Sequence, residues 1–234
     1  MIRNTGAFIK GLLLTISFFI VLIVMFMPLF SGENAFKAAD ALFNSISKSS
    51  SNYLPDLKKK SQAFAGTQID ITTKLKSQEM AQQGAKILTA AGAQVTADGT
   101  QLKIVGDLGK ILEASLNDSL ELFHNRDKEL QAKYGFPGTQ VLLVWWHIFK
   151  EADKDLKRQN KFREAAIIND VVKKGVEVAF NFFGITPESA SSRMGILTFA
   201  LIFYVIYTLW WGIAVLFLFE GVGLEMKSGA KKEM

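Results

Sequence analysis

Two uncharged apolar runs, one near each end of the chain, constrain this sequence more than any other feature. Residues 11–30 read GLLLTISFFIVLIVMFMPLF, and residues 195–219 read GILTFALIFYVIYTLWWGIAVLFLF. A helix needs about 20 such residues to cross the hydrocarbon layer of a bilayer, and lipid favours a helix that is apolar on every side. We therefore predict two transmembrane helices, over residues 11–30 and 194–220.

The first run has an alternative interpretation as a cleaved signal peptide, and Pro28 resembles the boundary of one. Its apolar length, however, exceeds the roughly 7–15 residues usual for a signal peptide, and no small-x-small cleavage site follows it. We interpret the run as a retained signal anchor.

Basic residues predict how the chain is oriented. They flank both runs on their terminal sides: Arg3, Lys10, Lys227, Lys231 and Lys232. Short basic flanks stay in the cytoplasm, whereas a long segment between two spans has little influence on orientation. We expect residues 1–10 and 221–234 to be cytoplasmic, and residues 31–193 to lie outside a bacterial inner membrane, in the periplasm or extracellular space.

Composition excludes several classes of function. The chain has no cysteine, which rules out disulfides, thiolate catalysis and cysteine-ligated clusters. In residues 31–193, 22 basic residues only slightly outnumber 19 acidic residues, so no nucleic-acid partner is indicated.

The segment between the two runs predicts a mostly helical domain with a small βαββα unit. Residues 31–66 are expected to form a helical stalk, with Ser31 as the first N-cap and a second helix starting near Pro55. Residues 67–135 contain an alternating strand (QIDITTKL), a helix closed by Gly92, a hairpin turning at Asp98-Gly99, and one long helix ending near Gly135.

Residues 136–193 are predicted to be helical again, with Thr186 capping the helix that becomes the second span. A helix on each side of the βαββα unit would pack antiparallel as a stalk. The predicted fold class is thus an α+β membrane protein, in which two transmembrane helices flank this extracytoplasmic domain.

The stretch VLLVWWHIFK, residues 141–150, raises the question of a reactive site. It is too short to span a bilayer, so we interpret it as a core helix, with an interfacial helix as the main alternative. His147, Glu151 and Asp155 share a helix face at the spacing of a metal pair. Neighbouring Lys150, Lys154 and Arg158 more simply predict salt bridges with those acids.

A second histidine, His124, has Glu121 and Asp127 one turn to either side. This arrangement is compatible with a carboxylate-oriented base, but an exposed helix with mixed charges is the simpler interpretation. We predict no catalytic, cofactor-binding or metal-binding residue, and the two runs contain no charged residue that would mark an ion path. Small residues are sparse in both runs, so a glycine-driven helix dimer is not indicated.

The chain has more apolar helix surface than its own small α+β unit can cover, which predicts that it assembles with other proteins or with its own copies. We expect the interaction residues to be the following aromatic side chains: Trp145, Trp146, Phe180, Phe182, Phe183, Trp210 and Trp211. The favoured function is a non-catalytic, membrane-anchored accessory or scaffold subunit, whose partners are the bilayer and either its own copies or a larger membrane complex. The alternatives are a ligand-binding sensor that signals through a separate partner, and a lipid-handling envelope protein.

Overall fold

A computed structural model describes residues 2–224 of the chain. The fold is mostly helical, with one small three-stranded sheet, as the predicted α+β class requires. The chain divides into two compact units: one comprises the residues up to Ile46 and from Glu188 onward, and the other comprises residues 47–187. The basic residues Lys227, Lys231 and Lys232 lie outside the described residues.

The elements follow one another in this order: α1 (Thr5–Phe26), α2 (Ala35–Ser50), α3 (Leu54–Gln62), β1 (Gln68–Lys74), α4 (Gln78–Ala90), β2 (Gln94–Asp98), β3 (Gln101–Asp107), α5 (Leu108–Phe123), α6 (Asp127–Tyr134), α7 (Gly138–Arg158), α8 (Phe162–Val171), a π-helix (Val172–Val176), α9 (Glu177–Asn181), a 3₁₀-helix (Ser191–Arg193) and α10 (Met194–Val222).

The first unit is built on an antiparallel pair of apolar helices, α1 and α10. The backbone N–H groups of Arg3 and Asn4 donate to the carbonyl of Gly221 at 2.8 and 3.0 Å, so the start of α1 lies beside the end of α10. Both helices are long and apolar enough to cross a membrane. Only 11% of the most apolar stretch of α1 and 6% of that of α10 are buried, whereas the core helix of a soluble protein is mostly buried.

Glycines set how closely these two helices approach, which corrects the sequence expectation. A Cβ atom on Gly11 would lie 2.7 Å from the Leu218 backbone nitrogen and 3.0 Å from the Ala214 carbonyl oxygen. A Cβ atom on Gly221 would lie 2.6 Å from the Cβ of Phe8. Small residues are few, but they stand where the backbones touch, and such contacts drive helix association in lipid.

A turn precedes α2, and the predicted N-cap at Ser31 is wrong. Phe30 and Glu33 exchange two backbone hydrogen bonds of 2.9 Å, and Ser31 and Gly32 between them both have positive φ, 53° and 86°. A residue in that conformation cannot begin a helix. Asn34 caps α2 instead, because its Oδ1 accepts from the N–H of Lys37 at 2.9 Å.

The second unit contains the sheet, whose strand order is β1-β3-β2 with both pairs antiparallel. Alternate residues of β1 are buried, and Leu102 and Ile104 of β3 are fully covered. The other sheet face carries the ion pair of Lys103 and Asp70, at 3.6 Å. The predicted order of strand, helix, strand, strand, helix is present, and the β2–β3 hairpin turns at Gly99, whose φ is 57°.

The predicted long helix after Asp107 is two helices, because Asn125 breaks it with a φ of 61°. Asparagine tolerates this conformation better than most residues. Its side chain also holds the chain after α9: Oδ1 accepts from the N–H of Gly184 at 2.8 Å, and Nδ2 donates to the Ile185 carbonyl at 3.0 Å.

Lys48 is buried next to Asn125 and also holds the chain after α9. Its ammonium group donates to the carbonyls of Phe182 and Ile185, at 2.9 and 2.7 Å, and to the Asn125 side chain at 3.2 Å. Burial lowers the pKa of Lys48 below its ordinary value. Carbonyl dipoles at the end of a helix are a favourable environment for this cation.

The prediction that Thr186 caps the second apolar helix is wrong. Residues 182–190 are not helical, and α10 begins at Met194 after the short 3₁₀-helix. The intervening chain is held by other contacts: Glu188 receives two hydrogen bonds from Arg193, at 2.5 and 2.6 Å, which lower its pKa. A continuous helix before α10, as the stalk prediction required, is therefore not present.

Candidate functional site: an apolar groove beside Trp146

The two adjacent tryptophans of α7 have different environments. Consecutive helix residues point about 100° apart, and here that rotation separates the core from the surface. Trp145 is fully buried and stacks beside Phe149, with ring centroids 5.3 Å apart. Trp146 is half-buried and packs on the edge of the core.

Asp118 fixes Trp145 in the core. This carboxylate is 1% exposed and accepts three hydrogen bonds: from Trp145 Nε1 and the Tyr134 hydroxyl, both at 2.8 Å, and from Lys133 Nζ at 2.9 Å. Burial, followed by the charge and hydrogen bond of Asp118, raises the pKa of Tyr134. The network satisfies a buried charge, so it holds helices α5, α6 and α7 together. Trp145 has no exposed surface for a partner, and we assign it a structural role.

Trp146 lines a groove of about 430 Å³ on the surface of the second unit. Its Nε1 donates to the Glu177 carboxylate at 2.7 Å, and the ammonium of Lys150 lies 5.4 Å from the centre of its ring. The groove is lined by Lys76, Leu142, Leu143, Trp146, His147, Val176, Glu177, Phe180 and Asn181. Most of its wall is thus apolar, with charged groups at the edge.

Exposed apolar side chains make this groove a candidate contact surface. Phe180 is 43% exposed and Leu143 is 36% exposed. Exposed aromatic side chains in an apolar patch are typical of interface hot spots.

The π-helix forms part of the same wall. Val176 is its last residue, and Glu177 directly follows it. A π turn widens the helix, and such turns occur frequently at functional sites. Gly175 allows it to pack here, because a Cβ at this position would lie 3.2 Å from Leu116 Cδ2.

His147 also lines the groove, is 9% exposed, and has its ring 4.8 Å from that of Trp146. Burial lowers its pKa below 6.5, repulsion from Lys76 lowers it further, and Glu151 opposes them. The imidazole is therefore neutral at pH 7.

The salt bridges predicted along this face of α7 are formed by two of the three basic residues. Lys154 binds Glu151 at 2.6 Å, and Arg158 binds Asp155 at 3.4 Å. Among residues 2–224, no three histidine, aspartate or glutamate side chains are grouped as a metal site. His124 is exposed, and Glu121 binds Arg126 at 2.7 Å instead.

We expect His147 to make the stability of the second unit depend on pH. Because its folded pKa is lowered, the unfolded chain binds the proton more readily between the folded pKa and 6.5. Stability therefore rises with pH through this window, and acidification through the same window lowers it. Denaturant unfolding followed by tryptophan fluorescence at about pH 7.5 and about pH 5 measures this dependence. His147→Gln should reduce the loss of stability at acid pH, whereas His124→Gln, at an exposed position, should leave that loss unchanged. Equal losses of stability in both variants would contradict this role of His147.

The other predicted interaction residues are dispersed. Phe182 and Phe183 are half-buried against the core. In the helix pair, Trp210 Nε1 donates to the Leu14 carbonyl at 3.2 Å, and Trp211 contacts the Phe18 ring at 4.8 Å while remaining 40% exposed. Of the seven residues predicted, the groove brings together Trp146 and Phe180. Sequence reasoning missed Glu177 and Lys76, which carry no distinguishing pattern along the chain.

A second depression, of about 320 Å³, lies at the start of α5 and is a weaker candidate. Its lining is mainly charged and polar, including Lys58, Lys110 and Glu113. The helix terminus there is already occupied, because Asp107 accepts from the N–H of Gly109 at 2.8 Å. No protein-family model, curated protein or solved structure matches this chain.

Proposed function

We propose that this chain is a non-catalytic accessory or scaffold subunit, anchored in a membrane by α1 and α10, which assembles through the groove beside Trp146. Its partner is a second copy of itself or a larger membrane complex. The observation that carries the proposal is the combination of an exposed apolar helix pair with an exposed aromatic groove on a separately packed unit.

The helix pair supports anchoring rather than a core or a cleaved leader. A pair of soluble helices would cover its apolar side chains, yet only 11% and 6% of the most apolar stretches of these two helices are buried. The pairing of α1 with α10 through Gly11 and Gly221 would also be lost if α1 were removed. We therefore place both helices in the hydrocarbon layer of a bacterial inner membrane.

Antiparallel packing of α1 and α10 supports a topology in which the start of α1 and the end of α10 lie on the same side of the membrane. With Arg3 and Lys10 as cytoplasmic flanks, residues 31–193 lie on the outer side. Because the chain has no cysteine, a single introduced thiol reports its own side.

The topology test uses Asp98→Cys, in the β2–β3 hairpin, and Arg3→Cys, before α1. In intact inner-membrane vesicles of known orientation, a membrane-impermeant maleimide should label the first thiol only from the outer face. It should label the second thiol only from the cytoplasmic face. Labelling of the Asp98→Cys thiol only from the cytoplasmic face would contradict the orientation.

The groove supports the assembly part of the proposal. Its acids and bases are already engaged or lie at the rim: Glu177 binds Trp146, and Lys150 covers the ring of Trp146. His147 and His124 have neighbouring acids that bind lysine or arginine instead. These arrangements favour a binding surface over a catalytic site.

Extraction in a mild detergent, followed by sizing and identification of bound proteins, tests assembly. We expect a particle larger than the monomer. Phe180→Asp, in the groove, should shift it to smaller size while leaving the thermal unfolding temperature nearly unchanged. Phe162→Asp is the matched control, because Phe162 is 61% exposed and lies outside the groove.

Three outcomes separate the candidate functions. A single-size particle of this chain alone indicates a homo-oligomer, and a stable set of other membrane proteins indicates an accessory subunit. A monomer that carries a bound lipid or small molecule in the groove would overturn the scaffold proposal in favour of a receptor or lipid-handling protein. The groove volume of about 430 Å³ is within the range of small-molecule sites, which is why this outcome is tested.

A further inference from the structure

We propose that α2 is an interfacial helix: its apolar edge, formed by Phe36, Ala39 and Phe43, inserts into the lipid headgroup layer next to α1 and α10. The occupant of this edge is lipid. The inference rests on the proposed membrane anchoring of α1 and α10, and it adds a second, lateral contact with the bilayer.

The first support is the pattern of α2 itself. Phe36 and Phe43 are seven residues apart, which places them two turns apart on one side of a helix, and Ala39 lies between them. Lys37, Ala41 and Asn44 lie on the other side of the helix, whereas Asp40, three residues before Phe43, borders the apolar edge. A helix with one apolar edge and a polar opposite face is the form that lies in a membrane interface.

The second support is that the apolar edge stays uncovered after folding. Phe36 is 45% exposed and Phe43 is 51% exposed, and Ala39 is also exposed. Large aromatic side chains gain about 25 cal/mol for each Å² of apolar surface removed from water. Two of them on one edge therefore favour transfer into an apolar layer.

The third support is that α2 is attached near both of the apolar helices. At its start, the Phe36 ring lies 4.9 Å from that of Phe26, the last residue of α1. Towards its end, the carbonyl of Ser45 accepts from the N–H of Glu188 at 3.1 Å. Glu188 is in turn bound by Arg193, which directly precedes α10.

These two attachments lie at the same membrane boundary. In an antiparallel pair, the end of α1 and the start of α10 are on one side, so α2 connects the two exit points of the chain. The stretch from Phe36 to Ser45 extends about 14 Å along the helix axis. A helix held near both exits lies along the interface rather than away from it.

The segment that connects α1 to α2 also exposes apolar side chains. The segment follows directly after α1, and three of its apolar side chains are exposed: Met27 (46%), Leu29 (60%) and Phe30 (48%). Exposed apolar side chains thus stand on both sides of the Ser31-Gly32 turn, in this segment and on the edge of α2. A lipid boundary covers such a surface without any further protein.

Single spin labels in the full chain, reconstituted in vesicles of phosphatidylcholine and phosphatidylglycerol, test the inference. Ala39→Cys places a label on the apolar edge and keeps both phenylalanines. Ala41→Cys is the matched control, since it is also an exposed alanine of α2 but lies on the polar face. Leu13→Cys, on the exposed surface of α1, reports the hydrocarbon layer, and Asp98→Cys reports bulk water.

Collision with oxygen, which concentrates in lipid, is compared with collision with a water-soluble nickel chelate. We expect the position-39 label to favour oxygen several-fold over the position-41 label, and to be shallower than the position-13 label. The double substitution Phe36→Ser and Phe43→Ser should return position 39 towards water.

Other outcomes are equally decisive. If positions 39 and 41 are equally accessible to the nickel chelate while position 13 remains in lipid, the inference is wrong and the membrane anchor stands. If position 39 is shielded from both reagents, protein rather than lipid covers the edge, and the inference is again wrong. If position 13 is itself accessible to the nickel chelate, the proposed anchoring has failed.

Discussion

Trp145→Ala should destabilise the second unit by roughly 3–5 kcal/mol, the range for removing a buried aromatic side chain. The ring is fully buried beside Phe149, so its removal leaves a cavity. The substitution also removes one of the three hydrogen-bond donors to Asp118. Because this carboxylate is buried, water cannot reach it to replace the lost donor. Equilibrium unfolding in urea, followed by circular dichroism, measures the loss.

Two matched variants separate the causes. Trp145→Phe keeps most of the apolar volume but lacks the N–H donor, and it should cost about 1–3 kcal/mol, as expected for an imperfectly satisfied buried group. Trp146→Ala, at the adjacent position, should reduce stability by less than Trp145→Ala but shrink the extracted particle. Equal losses of stability at positions 145 and 146, with no change in particle size, would contradict the assignment of these residues to core and groove.

Gly11→Leu should separate α1 from α10. A side chain at this position meets backbone atoms, the Leu218 nitrogen at 2.7 Å and the Ala214 oxygen at 3.0 Å from the Cβ, and backbone cannot move aside as a flexible side chain can. Overpacking a close contact typically costs about 1–3 kcal/mol, and in a helix pair the simplest response is loss of the native crossing. Gly212→Leu is the control, since a Cβ there has no atom within 4 Å.

A thiol cross-link measures this crossing directly. The side chains of Asn4 and Glu220 are hydrogen-bonded at 3.1 Å, so Asn4→Cys and Glu220→Cys should be joined by a short bifunctional maleimide in membranes. The cross-link should persist with Gly212→Leu and be strongly reduced with Gly11→Leu. Full cross-linking with Gly11→Leu would show that the glycine contact does not set the helix pair.

Local signals in the sequence predict most of the elements. The alternation of Ile69, Ile71 and Thr73 predicts β1 and its buried face, because residues two apart in a strand lie on the same side. The length and apolar character of residues 11–30 and 195–219 predict two bilayer-length helices. Two of the errors, at Ser31 and Asn125, occur where the backbone departs from these periods, because a positive φ at a non-glycine residue has no reliable sequence signature.

The candidate site was only partly predictable. The pair Trp145-Trp146 indicates one buried and one less buried ring, because the helix rotates between them. Which ring is buried depends on Asp118, 27 positions away, and on Glu177, 31 positions away. Neither acid differs, along the sequence, from a solvent-exposed acid of its helix.

By itself, the sequence determines the α+β class, the absence of cysteine chemistry and the presence of two helices long and apolar enough to cross a membrane. These features follow from composition and short-range periodicity, which fix hydrophobicity and secondary structure over a few residues. The tertiary structure alone decided that glycines pair α1 with α10, that Trp145 is core and Trp146 is surface, and that α2 presents an uncovered apolar edge. Those outcomes depend on which distant side chains meet, and packing contacts between residues far apart leave no trace in the local pattern of one chain.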